Sequence, residues 1–240
     1  MGQGHKLDLL RRFCLGSHLL EIGPSFGSFA YRAIMGGFEV KAIERDGNCC
    51  RFLNDVVGAK AVQHDDPVAA LDRMGVFDVV VLWQVLEHLA EPFPLLRVIS
   101  EHLVDGGILA LSTPNPEALQ FKLMGRWWPH LDAPRHLNLV PCRLLPSECE
   151  GYGFEPLEVT SSDAESRNWT RYGWQVAAMN LRGPRHGVPQ VNDFRDFALK
   201  CLGHLAAIAL QPLEQSGLRG SSYTAVFRKT RSKSRMAVES

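Results

Sequence analysis

Carboxylate side chains stand at the ends of the first three predicted strands of this chain. Glu21 lies near the end of the first strand, Glu44 ends the second, and Asp65 and Asp66 follow the third. In an open parallel sheet the carboxyl ends of the strands share one edge, and ligands bind there. A carboxylate after the second strand can accept both hydroxyl protons of a ribose, and one after the third can accept from the amino group of adenine. The spacing therefore predicts a nucleoside site.

The turn after the first strand contains the small residues Gly23, Ser25 and Gly27. Small residues in a tight turn let the backbone approach a ligand closely. The dinucleotide fingerprint G-x-G-x-x-G is not met, because Ser25 and Ser28 stand at its second and third glycine positions, and no Gly-Lys-Ser/Thr phosphate loop is present. A nucleoside bound without a pyrophosphate fits this pattern better than NAD does.

Strands that alternate with helices must position these residues. Such alternation is typical of β-α-β units and a parallel sheet, and the continuous apolar run Phe77–Trp83 is typical of a parallel strand covered on both faces. The other predicted strands are 18–22, 38–44, 60–64, 108–112, 154–160 and 223–228. The predicted helices are 26–35, 49–57, 68–74, 92–103, 117–124, 144–150 and 194–213, and residues 161–193 are expected to be a polar, irregular insertion.

The composition excludes several classes of protein. The 240 residues are 45% hydrophobic and 22% charged, as in an average globular domain. Twenty-six basic residues balance 26 acidic ones, which argues against a dedicated nucleic-acid-binding protein. The six cysteines form no C-x-x-C pair, so free thiols are expected. The sequence shows no signal peptide and no apolar stretch of about 20 residues, which predicts a cytoplasmic protein without a transmembrane segment.

These features together resemble the class I S-adenosylmethionine-dependent methyltransferases over residues 18–160. The first motif of that family, (E/D)-x-G-x-G-x-G, stands here as Glu21-x-Gly23-x-Ser25-x-Gly27, with serine in place of the middle glycine. Glu44 falls at the ribose-binding acid of the family. Asp65 falls at its adenine-contacting residue. The segments that resemble the fourth-strand motif and the turn before the fifth strand are 77–80, 86–89 and 105–107.

Two further segments resemble the subgroup that contains the ubiquinone-biosynthesis O-methyltransferases. They are Leu86-Glu87-His88 after the fourth strand and Arg135-His136-Leu137 after the fifth. The resemblance implies an α/β fold with a Rossmann-like, seven-stranded, mostly parallel sheet, helices on both faces and an antiparallel last strand. It also implies S-adenosylmethionine as cofactor and S-adenosylhomocysteine as product.

We expect one methyltransferase domain across residues 1–240, with 116–150 and 161–215 as acceptor-side or lid elements and 230–240 as a disordered basic tail. The expected cofactor-binding residues are Glu21, Gly23, Pro24, Ser25, Phe26, Gly27, Glu44, Arg45, Asp65, Asp66, Trp83 and Gln84.

His88 and His136 are the predicted catalytic residues. Methyl transfer is an in-line displacement in which the enzyme mainly positions the reactants, and an acceptor proton can be removed by a histidine near neutral pH. Either histidine could instead have a structural role, with Glu87 and His88 pinning a loop and His136 hydrogen-bonded within its own loop.

A divalent metal is an alternative at the same residues. Some O-methyltransferases bind a metal through E-x-x-E-H with a distant histidine, and this chain has Gln84-x-x-Glu87-His88 with His136 as the distant candidate. Gln84 removes one carboxylate, and hard cations favour charged oxygen ligands. We therefore predict no metal site.

The second half carries aromatic residues and an apolar helix with two interpretations each. The aromatic residues either line an acceptor pocket or form a core that anchors a lid: Trp127, Trp128, Trp169, Tyr172 and Trp174. The apolar face of helix 194–213 either packs on the domain or on a homodimer partner, or receives a lipid-linked acceptor. Arg195, Lys200 and the basic tail allow a weak contact with a membrane surface.

The sequence predicts S-adenosylmethionine-dependent O-methylation of a small-molecule or lipid- or sugar-linked acceptor. No nucleic-acid partner is expected. The alternatives are N- or C-methylation of a small molecule and a cofactor-binding regulator without catalytic activity.

Overall fold

A computed structural model describes residues 3–182 and 190–230 of the chain. Seven strands form one sheet in the order β3-β2-β1-β4-β5-β7-β6, mostly parallel, with antiparallel pairing of β7 to β5 and to β6. This confirms the predicted fold class. The strands are β1 (His18–Ile22), β2 (Glu39–Glu44), β3 (Lys60–Gln63), β4 (Phe77–Trp83), β5 (Leu103–Pro114), β6 (Phe154–Thr160) and β7 (Ser222–Lys229).

The described residues also form nine α-helices, several of which begin at a side-chain cap. They are α1 (Gly4–Arg11), α2 (Ser28–Met35), α3 (Gly47–Phe52), α4 (Pro67–Leu71), α5 (Pro92–Glu101), α6 (Leu119–Met124), α7 (Leu144–Gly151), α8 (Ala164–Met179) and α9 (Phe194–Gln215). One π-helical turn, Leu53–Val57, continues α3. No helix in the described ranges combines the length and the apolar character that crossing a membrane requires.

The chain divides into two compact units. The sheet unit takes its residues from Met1–Ser112, Arg143–Glu158 and Ala225–Ser240, and the helical unit from Thr113–Cys142 and Val159–Thr224. The helical unit takes in most of the residues predicted to form the acceptor-side elements. The predicted basic tail lies outside the described residues, apart from Thr230.

The core of the sheet unit consists of aliphatic side chains on both faces of the central strands. All of β4 except Asp78 is buried, and Leu19 of β1 and Ile108 of β5 are fully buried beside it. Such burial stabilises the fold by about 1.5–3 kcal/mol for each large side chain. Because β1 pairs in parallel with both β2 and β4, Glu21 lies between Ala42 and Val81. The buried strands thus fix the positions at which the loops begin.

The expectation that residues 161–193 are irregular is wrong for most of the described part of this range. Helix α8 occupies Ala164–Met179, and its N-cap Asp163 accepts a hydrogen bond from the Ser166 amide at 2.7 Å. The buried face of α8 begins with small or polar residues, including Thr170 and Gly173. A helix that buries such residues lacks the apolar periodicity that predicts helices from sequence. Residues 183–189 of this range lie outside the described part of the chain.

The smaller differences include one helix that was not predicted and two elements that begin at other residues. Helix α1 was not predicted, β5 begins at Leu103 rather than at residue 108, and α6 begins at Leu119 rather than at residue 117. The β4–β5 register shifts between Phe77 and Val79, and this irregularity hides the start of β5 from a simple hydrophobic pattern. All six cysteines are free thiols, as predicted.

Candidate functional site

The loop after β1 turns on three residues with positive φ. Gly23 has φ 69°, Ser25 φ 54° and Gly27 φ 73°, and the Gly27 amide donates to the Pro24 carbonyl at 2.9 Å. Glycine adopts this left-handed region without penalty, whereas a residue with a Cβ such as Ser25 is strained there. Pro24 is buried, and Phe26 is exposed with its ring edge-on to Phe52 at 5.8 Å. The loop therefore exposes backbone and the side chains of Ser25 and Phe26.

The two glycines are also required by their neighbours. A Cβ at Gly23 would lie 2.8 Å from Cγ2 of Val85, and one at Gly27 would lie 2.5 Å from Cδ2 of Leu53. Side chains cannot approach that closely in a packed protein. The first and third glycine positions of the loop are therefore fixed by packing within the sheet unit as well as by φ.

Glu44 joins this loop to the end of β2. Its carboxylate is buried, with Oε2 accepting from the Ser25 amide at 2.8 Å and Oε1 accepting from the Asp46 amide at 2.9 Å. A carboxylate oxygen can accept more than one hydrogen bond. Each oxygen of Glu44 thus keeps acceptor capacity for a ligand hydroxyl, while the two backbone amides fix the orientation of the group.

Glu21 is buried beneath the same loop. Burial raises the pKa of its carboxyl to about 8, although the charge of Lys6 and a hydrogen bond from the Ala30 amide partly oppose this, and the charge of Glu44 adds to it. Among residues 3–182 and 190–230, no hydrogen-bond partner contacts Oε2 of Glu21, which is costly for a buried polar atom. This oxygen is therefore left for a hydrogen bond with a ligand.

Lys6 is a site residue that the sequence argument missed. It belongs to α1, is buried, and its ammonium lies 4.5 Å from the centroid of the Trp83 ring. A cation over an indole face is attracted by the ring quadrupole. The Trp83 ring also packs edge-on against Phe29 at 5.4 Å, and its Nε1 has no hydrogen-bond partner in the described part of the chain. A lone lysine near the start of the chain gives no sequence signal for such a position.

Gln84 follows β4 in a strained conformation. Its φ is 56°, its amide donates to the Ser112 carbonyl at 2.9 Å, and its Nε2 donates to Oγ of Ser112 at 3.1 Å. Positive φ at a residue with a side chain costs about 1–3 kcal/mol and occurs most often at functional sites. Both hydrogen bonds to β5 hold Gln84 at the carboxyl edge of the sheet.

The remaining predicted cofactor residues are exposed. Arg45 follows Glu44, and Asp65 and Asp66 follow β3, which pairs with β2 up to Gln63. The carboxylate of Asp66 caps α4 by accepting from the Val68 amide at 2.9 Å. The structure thus brings together the loop after β1 with Glu44, and Trp83 with Gln84. Asp65 and Asp66 stay at the end of the neighbouring strand, and their predicted role remains a prediction.

The two predicted catalytic histidines belong to different units. In the sheet unit, His88 is exposed at the end of the 3₁₀ turn Leu86–His88, and the adjacent Glu87 is buried. In the helical unit, the His136 side chain is 11% exposed and its Nδ1 lies 2.8 Å from the His130 carbonyl. Because a carbonyl only accepts, Nδ1 of His136 carries a proton, and its Nε2 lies 3.9 Å from Oδ2 of Asp132. When the ring is neutral, it is therefore in the tautomer whose Nε2 can act as a general base.

His130 is a buried histidine that the sequence argument passed over. Its ring makes contacts with Trp128, Trp169 and Tyr172, and its Nε2 donates to the Trp169 carbonyl at 3.0 Å. Burial lowers the pKa of His130 to about 4, which the Trp169 carbonyl partly opposes. These three aromatic residues pack around His130. Trp127 and Trp174 instead line a cavity of about 620 Å³ within the helical unit.

Comparison with known proteins identifies the family of the chain. A family model described as a methyltransferase domain matches residues 4–159. A ubiquinone biosynthesis O-methyltransferase from Ralstonia nicotianae is 25% identical over 60% of this chain and 65% of that protein. One from Cereibacter sphaeroides is 32% identical over 32% of this chain and 40% of that protein. The chain thus spans less than two thirds of the length of these curated relatives.

The same fold occurs in a solved structure of a SAM-dependent methyltransferase from Archaeoglobus fulgidus. The two chains share 18% sequence identity and superpose with a TM-score of 0.59, and 94% of each chain is covered. The architecture is therefore the Rossmann-like fold of the class I methyltransferases.

Proposed function

The chain belongs to the methyltransferase-domain family, and from this premise we propose that it transfers a methyl group from S-adenosylmethionine to an oxygen atom of a small-molecule acceptor. The observation that carries the proposal is the fixed Glu44 carboxylate, bonded to the Ser25 amide of the loop after β1 and still able to accept from ribose hydroxyls. This pairing matches what a nucleoside cofactor without a pyrophosphate requires.

The residues at the carboxyl edge of the sheet fit this cofactor. The loop after β1 offers exposed backbone for close approach, and an ammonium group beside Oε2 of Glu21 would favour the ionised form of that carboxyl, which accepts hydrogen bonds. Glu44 would bind the ribose, and Asp65 at the end of β3 would accept from the adenine amino group. When bound, S-adenosylmethionine supplies a methyl group already activated by its sulfonium.

The two histidines and the curated relatives support the proposal that the acceptor atom is oxygen. When neutral, His136 has its lone pair on Nε2, which can then remove a hydroxyl proton, and His88 is an exposed second candidate. A phenol or alcohol loses its proton on methylation, so a positioned base accelerates the reaction by about 10²–10⁴-fold. The two curated relatives are named as O-methyltransferases, which favours oxygen over nitrogen or carbon.

Calorimetric titration with S-adenosylhomocysteine tests the cofactor assignment, with NADH as the comparison ligand. Micromolar binding of S-adenosylhomocysteine without binding of NADH supports it, and the reverse result contradicts it. Transfer of labelled methyl from S-adenosylmethionine to a panel of phenols, with a matched panel of amines, then tests the acceptor. Transfer to amines alone would overturn O-methylation, and cofactor binding without transfer to either panel would favour a regulatory role.

The base is tested by His136→Gln, which keeps an N–H donor for the His130 carbonyl but cannot take a proton near neutral pH. We expect turnover to fall about a hundredfold, with unchanged binding of S-adenosylhomocysteine. His102→Gln is the matched control, because Nδ1 of His102 also bonds a carbonyl, that of Gly75, at 2.9 Å. Equal effects of the two variants would assign His136 a structural role.

A further inference from the structure

Helix α9 is packed with its large apolar residues outward. Its fully buried residues include Asp196, Gly203, Ala207 and Glu214, whereas six large apolar side chains are between 51% and 82% exposed. These six residues define the outer face: Phe194, Phe197, Leu202, Leu205, Ile208 and Leu213. They span an arc of about 160° along a helix about 33 Å long. Large apolar side chains gathered on one exposed face are typical of surfaces that bind another molecule or a membrane.

The charges of α9 follow the opposite pattern to its apolar residues. Arg195, Lys200 and His204 are exposed, whereas the acidic residues Asp196 and Glu214 are 1% and 2% exposed. Within α9, therefore, the exposed charged side chains are basic, and the exposed residues include no carboxylate. An apolar face flanked by basic residues is the pattern of helices that lie in the interface of a membrane with anionic lipids.

One flank of the outer face is a cationic groove. A cavity of about 270 Å³ in the helical unit is lined by Arg167 and Arg171 of α8 and by His204 and Ile208 of α9. Arg167 donates to the Ser162 carbonyl, which holds it at the groove. Glu214 also lines the groove, but burial raises the pKa of its carboxyl. The groove thus offers cationic groups beside the apolar Ile208.

The other flank is apolar. The cavity of about 620 Å³ shares Leu202 with the outer face and is lined further by Leu123, Trp127 and Leu181, all of them more than half exposed. The guanidinium of Arg126 lies 5.0 Å from the Trp127 ring. Tryptophan beside arginine is typical of side chains that sit at the level of lipid headgroups. The apolar surface of α9 therefore continues into a cavity large enough for a lipid chain.

We propose that the helical unit docks on an anionic lipid bilayer through the outer face of α9, with lipid headgroups against the cationic groove. A second copy of the chain is the competing occupant. Two outer faces pressed together would bring the basic flanks of both helices together with no exposed carboxylate of α9 to neutralise them. An anionic surface offers the complementary charge. The proposal does not depend on methyl transfer.

Co-sedimentation of the full chain with vesicles tests this docking. One set of vesicles contains phosphatidylcholine alone, and the other contains equal parts of phosphatidylcholine and phosphatidylglycerol. We expect binding to the anionic vesicles that weakens as salt is added, because exposed charges are screened. Leu205→Glu places a charge in the outer face and should weaken binding about tenfold or more.

Leu15→Glu is the matched control, since Leu15 is a fully exposed leucine of the sheet unit, and it should bind as the unmodified chain does. Absence of binding to anionic vesicles, or equal binding by Leu205→Glu, would overturn the proposal. Equal binding by Leu205→Glu would mean that basic residues outside the outer face bind the vesicles. Light scattering that shows a dimer lost in Leu205→Glu, without vesicle binding, would identify a second copy as the occupant and would also overturn it.

Discussion

The two units of the molecule differ in how many of their buried side chains are polar. The sheet unit buries aliphatic residues such as Leu20, Val80 and Leu82, each fully inaccessible. The helical unit buries Gln120 and Thr170, while Phe194 of α9 is mostly exposed. A core of aliphatic residues is stabilised by removal of apolar surface from water. In the helical unit, buried hydrogen bonds contribute more to stability, and α9 leaves its large apolar side chains exposed.

A network of buried hydrogen bonds stabilises the helical unit. Nε2 of Gln120 donates to the Thr170 carbonyl at 2.6 Å, and Nε1 of Trp174 donates to Oε1 of Glu214 at 2.8 Å. Hydrogen bonds in a low-dielectric interior are strong when satisfied and costly when broken. The comparison shows that a helix can bury its polar side chains and expose its apolar ones. The polarity of a residue in the sequence therefore does not by itself tell which face of a helix is exposed.

The largest expected effect is a loss of stability from a substitution at Gly203, where α8 and α9 pack closely. A second glycine in an open helical position shows how much of the loss comes from helix propensity alone. Gly203→Val would place a Cβ 2.6 Å from the Trp174 carbonyl oxygen and the Gln175 Cα, so α8 and α9 would have to move apart. We expect a loss of about 3 kcal/mol in the free energy of unfolding, measured by urea titration of tryptophan fluorescence. Gly151→Val in α7 meets nothing within 4 Å and should change it by no more than about 0.5 kcal/mol. Similar losses in both variants would show that α8 and α9 are not in tight contact.

Acid should weaken the helical unit through His130. Its pKa is lowered to about 4 from 6.5 because the folded state buries the neutral ring. The stability that this contributes is complete above pH 6.5 and is lost as the pH falls toward 4, by up to about 3 kcal/mol. Urea unfolding across this range should show the loss, and His130→Gln should flatten it. An unchanged slope in the variant would contradict burial of the neutral ring.

Binding of S-adenosylhomocysteine should depend more on Glu44 than on Glu39, the other acid of β2. Glu44→Ala removes the acceptor for the Ser25 and Asp46 amides as well as for a ribose, so binding of S-adenosylhomocysteine should weaken by about 1–3 kcal/mol in calorimetry. Glu39→Ala is the control, because Glu39 begins the same strand with a largely exposed side chain. An affinity for S-adenosylhomocysteine unchanged by Glu44→Ala would remove Glu44 from the site.

The smallest effect is a gain in stability. Ser25 adopts φ 54°, and glycine takes up that conformation without strain, so Ser25→Gly should raise the free energy of unfolding by about 0.5–1 kcal/mol. The Ser25 amide still donates to Glu44, so binding of S-adenosylhomocysteine should stay within twofold (about 0.4 kcal/mol). A destabilised Ser25→Gly would mean that the serine hydroxyl has a role of its own in the loop.

Sequence reasoning was most successful where local pattern and tertiary position coincide. It predicted the strands of the sheet unit and the turn around Gly23 and Gly27, because buried parallel strands read as apolar runs and the turn requires small residues. It missed Lys6, because contact with the Trp83 ring joins residues far apart in the chain. It also missed α8, because the first half of the buried face of that helix consists of small or polar residues rather than large apolar ones.

The sequence by itself indicated the seven strands, most of the helices, their α/β alternation and the acids at the strand ends, since each depends on residues close together in the chain. Only the tertiary structure decided which of these groups meet. It bonded Glu44 to the Ser25 amide, fixed the proton of His136 on Nδ1, and turned the apolar residues of α9 outward. These outcomes depend on which distant segments exclude water from one another, and that information is absent from any local stretch of the chain.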